Sequence, residues 1–205
     1  LELGGKSPLI VTADADLDRA AYEAAWGCLM NAGQVCIRTE WILVEEAVAD
    51  AFEQRLVAEV ARMRQGAPDR EVGPDVGAVT FPPQAAHVAA QIADATSRGA
   101  RVLTGGRSHE RDGGLFFEPT VVTGVTADMR LAREESFGPV LPIVRVKDAD
   151  EAVRLANAVP AGLSGSVWSR NAATGRALAR RLVTGSVCVN DNLKNYFCVE
   201  APLGG

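Results

Sequence analysis

Histidine is almost missing from this chain: His87 and His109 are the two in 205 residues. No obvious Cys–His pair can therefore activate a thiol, and both histidines lie in surface-like contexts that read as structural or solvated. No apolar run approaches the roughly 18 residues of a membrane helix, and no charged, apolar, small-residue leader opens the chain. Excess positive charge is missing too. With 21 basic and 26 acidic residues and a net charge of −5, there is no basic stripe for a nucleic-acid backbone, so neither nucleic acid nor membrane is expected as a partner. The cysteines, Cys28, Cys36, Cys188 and Cys198, lack the paired CxxC spacing of a zinc or thioredoxin-like site. Free thiols in a reducing, cytoplasmic setting are the simplest reading.

What is present is an ordinary globular balance, 47% hydrophobic and 23% charged, in a length that can bury a real core. No composition break or internal repeat divides it. The chain opens on Leu1, already in a structured-looking segment, and stops on Gly204-Gly205, so residues 1–205 read as a piece of a longer protein.

Strands and helices alternate. Ser7 to Val11 is short and apolar, a buried strand. Asp14 or Asp16 caps a helix through about Met30, with Leu17, Ala21, Ala24, Cys28 and Leu29 on one face. Trp41 to Val44 is the next strand, and residues 46–64 form an amphipathic helix with Val48, Phe52, Leu56, Val60 and Met63 on its buried stripe. Gln65 to Val79 is a loop rich in glycine and proline. Pro82-Pro83 opens a helix to about Arg98, ended by Gly99. A strand at 101–104, a glycine-rich excursion at 105–114 and an extended segment at 119–122 follow. The last third alternates strand 140–146, helix 149–158, strand 165–169, helix 171–183 and strand 185–189. The pattern predicts an α/β fold with a mainly parallel twisted sheet flanked by helices. Beyond Asn190 no period is clear, as in a loop lining a pocket.

Three stretches could carry chemistry. Asn31-Ala-Gly-Gln-Val-Cys36 places a thiol behind a glycine in a polar, turn-prone segment. Cys36 is either a small buried hydrophobe or a thiolate nucleophile for an electrophilic carbon. Glu2 is either solvated or, in a partly apolar pocket, a general base for water. Glu135, in Glu134-Glu135-Ser136-Phe137-Gly138-Pro139, is either part of an acidic turn or an acceptor for a diol such as a ribose, with Phe137 as an apolar wall.

Taken jointly, Glu2-Leu3-Gly4-Gly5-Lys6, Asn31-x-Gly33-Gln34-x-Cys36 and Glu134-Glu135-x-Phe137-Gly138-Pro139 resemble the aldehyde dehydrogenase superfamily. Phe117 to Thr120, Gly162-Leu163 leading into Val167-Trp168, Val189-Asn190 and Pro202 to Gly205 follow in the family's order. The resemblance covers the whole chain and implies a three-layer catalytic domain. Cys36 would attack an aldehyde, hydride would pass to NAD or NADP, and Glu2 would activate water against the thioester. The backbone N–H of Cys36 would hold the oxyanion. Glu135 would bind the nicotinamide ribose, Phe137 would pack near that ring, Gly4 would join the cofactor contacts, and Asn190 would support catalysis.

The resemblance also implies what is not here. The family's Rossmann-type domain, with a ribose-binding lysine and a side-chain asparagine for the oxyanion, would precede Leu1, so the isolated chain is expected to bind NAD(P) poorly and to be inactive in hydride transfer. Relatives that release the acyl group to coenzyme A generally lack the glutamate at position 2, which favours a carboxylic acid product. Val35, Ile37 and Leu203, with Trp168, Tyr196 and Phe197, suggest an apolar or aromatic aldehyde, whereas Lys194 keeps an anionic semialdehyde open. Residual esterase activity at Cys36, or an oligomerisation role, are the alternatives. A homo-oligomer, dimer or tetramer, is expected of the family.

Overall fold

The computed structural model describes residues 4–67, 73–200 and 204. Glu2, Leu203 and the side chain of Tyr196 lie outside the described residues. Within them the expected alternation forms one sheet of seven strands. In chain order the elements are β1 (Pro8–Val11), α1 (Leu17–Leu29), β2 (Trp41–Glu45), α2 (Glu46–Arg62), α3 (Pro82–Ser97), β3 (Arg101–Thr104), β4 (Ser108–Arg111), β5 (Gly114–Phe117), β6 (Thr120–Thr123), α4 (Arg130–Arg133), β7 (Val140–Val146), α5 (Ala149–Ala156), β8 (Ser164–Trp168), α6 (Ala172–Ala179) and β9 (Ser186–Val189). The sheet order is β3-β6-β7-β2-β1-β8-β9. Every pair is parallel except β3 with β6.

Three layers result because the central strands are apolar on both faces, which suits a parallel sheet covered twice. Ile10 and Leu43 point to one side, where Val88, Ile92 and Ala95 of α3, Val153 of α5 and Leu178 of α6 close the core. Leu9, Val11, Ile42 and Val44 point to the other, against Ala20, Ala21, Ala24 and Ala25 of α1 and Phe52, Leu56 and Val60 of α2. Asp16 caps α1 by accepting from Arg19 N at 3.2 Å, as its sequence suggests.

Two expectations change. The glycine-rich excursion is not a loop throughout: β4 and β5 pair as an antiparallel hairpin across Asp112 and Gly113, both at positive φ (52° and 76°). Asp-Gly with two left-handed residues is the turn that matches strand twist, a signal the composition of the segment masked. Helix α6 ends at Ala179 rather than near 183. There Asn157 takes over the backbone, its Oδ1 accepting from Val183 N at 2.9 Å and its Nδ2 donating to Arg181 O at 2.8 Å.

Candidate active site

Strands β7, β2, β1 and β8 are neighbours and parallel, so the segments that enter them meet at one edge of the sheet. Those segments are Glu134–Pro139, Asn31–Glu40, Gly4–Ser7 and Gly162–Leu163. Open parallel sheets generally place ligands at the carboxyl edge; here the motif residues gather at the amino edge.

The thiol loop is built by its own side chains. Asn31, Ala32 and Gly33 are left-handed in succession (φ 53°, 55° and 73°). Asn31 Nδ2 donates to Gln34 O at 3.1 Å and Gln34 Nε2 returns a bond to Asn31 O at 2.9 Å. Gln34 Oε1 accepts from Thr80 N and Oγ1 at 2.8 and 2.7 Å, tying the loop to the segment before α3. Glycine at 33 is required by contact, since a Cβ there would lie 2.3 Å from the Gly138 carbonyl oxygen. The thiol loop and the Glu135 turn therefore touch backbone to backbone. Arg38 N bonds Val35 O at 3.1 Å, which closes a turn with half-buried Cys36 near its tip.

An apolar wall stands beside Cys36: Ile37, Leu163 and Leu193 form a buried cluster on which Met30, Val35 and Cys36 pack. Leu193 reaches it from the stretch without periodicity. Its neighbour Asn192 donates to Thr39 Oγ1 at 2.9 Å and Glu23 O at 3.1 Å, and anchors that stretch over the thiol loop. Nothing in the local sequence marked Asn192 or Leu193, because their partners lie far away in the chain.

Glu135 Oε1 accepts from Gly5 N at 2.9 Å, and a Cβ on Gly4 would stand 2.7 Å from Oε2. Gly4 is thus the space in which the carboxylate sits. Burial pushes the Glu135 carboxyl up, and the single backbone bond from Gly5 only partly opposes this. Phe137 adopts φ 47°, costly for a bulky residue by about 1–3 kcal/mol and sustained only by its surroundings. Beside it, Phe81, Pro83, Gln84, His87, Glu135 and Phe137 line a cavity of 490 Å³ at the start of α3. His87 is therefore not merely a surface residue: its Nε2 lies 3.1 Å from Glu135 O, and Gln84 Nε2 donates to Ser136 O at 2.5 Å.

Glu40 ties these parts together. It is buried with Lys6 and Arg38; its Oε2 receives Lys6 Nζ at 2.8 Å and its Oε1 receives Arg38 Nε at 2.5 Å. The same carboxylate accepts Ser136 N at 2.9 Å and Phe137 N at 3.1 Å. Burial alone would raise its pKa, but Arg38 and Lys6 hold it at about 2.

Asn190 and Trp168 lie elsewhere. Both follow the register to the carboxyl edge, level with Val11, roughly 13 Å of strand from the entering segments. The Asn190 amide bridges Ser169, accepting from its N at 3.0 Å and donating to its O at 2.8 Å. Trp168 is buried in the α1–α2 core with Arg19 over its ring and does not join the Cys36 wall. Phe197 is exposed. Lys194 pairs with Asp191 at 2.5 Å.

Comparison with known proteins places this arrangement. The profile of the aldehyde dehydrogenase family matches residues 1–205. The chain is 42% identical over 206 residues to a putative succinate-semialdehyde dehydrogenase [NADP(+)] of Mycobacterium tuberculosis, covering all of this chain and 39% of that protein. It is 41% identical over 207 residues to a vanillin dehydrogenase of Pseudomonas fluorescens, again covering all of this chain and 41% of that protein. The crystal structure of an NAD-dependent aldehyde dehydrogenase from Sinorhizobium meliloti superposes with a TM-score of 0.89 at 45% identity, over 94% of this chain and 38% of that one. The chain thus spans about two fifths of the length of these relatives.

Proposed function

The chain belongs to the aldehyde dehydrogenase family, and from that membership we propose that it carries the thiol and part of the cofactor site of an NAD(P)-dependent aldehyde oxidation. Cys36 Sγ adds to the aldehyde carbon, and its own backbone N–H stabilises the oxyanion. Bound NAD(P) supplies the acceptor for the hydride that leaves this thiohemiacetal, while the acyl group stays on Cys36 as a thioester. Glu2 then takes a proton from water, which attacks the thioester and releases the carboxylic acid. The observation that carries the reading is the direct packing of the Cys36 loop on the Glu135 turn at Gly33 and Gly138. A half-buried carboxylate with one donor among the described residues, beside Phe137 and a 490 Å³ cavity, suits a ribose and the ring attached to it.

The apolar wall of Met30, Val35, Ile37, Leu163 and Leu193 favours an apolar or aromatic aldehyde. The cations on the segments around that wall are already paired, Arg38 with Glu40 and Lys194 with Asp191, which argues against an anionic one. The full-length gene product should reduce NAD+ or NADP+ faster with aromatic than with carboxylated aldehydes, read as absorbance of the reduced nicotinamide. Cys36→Ala should remove that activity by roughly 10³-fold or more. Equal rates in wild type and variant would sink the assignment. Residues 1–205 alone should bind NAD(P) poorly and not turn over aldehydes, because hydride transfer needs both partners held in contact. Among the described residues β9 is an edge strand of the sheet, which supports association in a homo-oligomer that light scattering would detect.

A further inference from the structure

A buried carboxylate that met only cations would be simple charge compensation. Glu40 does more. Its Oε2 is shared between Lys6 Nζ and Ser136 N, and its Oε1 between Arg38 Nε and Phe137 N. Lys6 directly follows Gly4-Gly5, on which Glu135 rests; its carbonyl also accepts from Trp41 Nε1 at 3.1 Å. Arg38 lies two residues beyond Cys36 and closes the thiol turn through Val35 O. Ser136 and Phe137 follow Glu135 directly, and Phe137 holds its left-handed backbone where Glu40 receives its N–H. One side chain thus joins all three motif segments, at sequence separations of 34 and 96 residues. Charge agrees with this placement. Two buried cations face one buried anion, and the next anion is the half-buried Glu135.

We propose that Glu40 is a positioning residue that fixes the Glu135–Phe137 turn against the Cys36 loop, and so sets cofactor binding without touching cofactor or substrate. The inference rests on the reading of Glu135 and Phe137 as cofactor contacts. It differs from a general stabilising role in one respect: loosening Glu40 should move the cofactor turn more than the thiol.

The test uses the full-length gene product in a Cys198→Ser background, which removes the exposed competing thiol. Glu40→Asp keeps the charge needed by Lys6 and Arg38 but is one methylene short of serving both cations and both N–H groups. Two readouts need no turnover: the alkylation rate of Cys36 by iodoacetamide, followed on its peptide by mass spectrometry, and protection of that thiol by NAD+ or NADP+. In Glu40→Asp the concentration giving half-protection, and the KM for the cofactor, should rise about tenfold, the effect of misplacing a charged hydrogen-bonding partner. Unprotected alkylation should change by less than about threefold, because the Asn31–Gln34 bonds remain. Parallel loss of alkylation, protection and melting temperature would mean a structural role only and overturn the proposal, as would unchanged protection. If Glu40→Asp melts below the assay temperature, Lys6→Met with Glu40→Gln takes its place. That pair removes one buried charge of each sign and leaves an amide oxygen for one N–H, so the same outcomes apply. Wild type that is protected by NAD(P)+ yet oxidises no aldehyde would refute the proposed reaction and leave this inference standing; no protection in wild type overturns both.

Discussion

The two edges of this sheet are both polar, yet they use polarity in opposite ways. At the carboxyl edge, Asp14 accepts from Thr12 Oγ1 at 2.5 Å, Ser169 Oγ at 2.9 Å and Asn171 N at 3.0 Å. Burial would raise its carboxyl, but these donors outweigh it and hold it below the usual range. Asn190 closes the same knot by clamping Ser169. At the amino edge, Glu135 has one donor among the described residues, Gly5 N, and a raised pKa; Phe137 is held left-handed, and the thiol loop runs through three left-handed residues. A saturated carboxylate is a fastener. A carboxylate with acceptor capacity left, beside a cavity, can take a ligand.

Gly33→Ala should break this contrast most severely. The added Cβ meets the Gly138 carbonyl at φ 73°, so left-handed strain and overpacking together should cost about 4 kcal/mol. Thermal unfolding would read the loss, and an unchanged midpoint would show that the two loops can part freely. Acid comes next. Glu40 binds its proton near pH 2 in the fold against 4.5 as its ordinary value. The unfolded chain therefore takes the proton first, so the stabilisation is complete above about pH 4.5. It is lost as pH falls toward 2, by about 3 kcal/mol. Glu135 is shifted the other way, so its protonation relieves the fold rather than strains it. Denaturant titrations at several acidic pH values would test this, and flat stability across the interval would count against an ionised Glu40. Asn190→Ala is the mildest. Losing both bonds to Ser169 should lower stability by about 1–2 kcal/mol, with a smaller effect on the rate of Cys36 alkylation than on the melting temperature. A dominant effect on alkylation would return Asn190 to the site.

The same contrast explains what could be read in the sequence. Helices α1, α2 and α3 and the buried strands follow from periodicity and caps, which are local. The segments Gly4–Lys6, Asn31–Cys36 and Glu134–Pro139 were legible as a set, and the fold brings them to one edge, whereas Trp168 and Asn190 end at the other. Glu40 was hidden: it follows Thr39 at the mouth of β2 and looks like an ordinary polar flank, and only partners 34 and 96 residues away reveal it. His87 reads from the sequence as structural or solvated, and only its partner 48 residues on, the Glu135 carbonyl, decides for a structural contact. Trp168 was misplaced because its family motif starts at Gly162 beside the thiol, while the strand carries the ring to the opposite edge. The Asp112-Gly113 hairpin was legible in principle and lost among neighbouring glycines.

The Gly5–Glu135 bond spans 130 residues. Such a contact closes a long loop, and its entropic penalty is repaid only once β1, β2 and β7 have paired. During synthesis, a chain that has not yet reached β7 has Cys36 and the local bonds of its loop, but not the Glu135 turn on which that loop packs. Folding order itself would then act as a safeguard: the thiol stays an unassembled group until the whole frame around it exists.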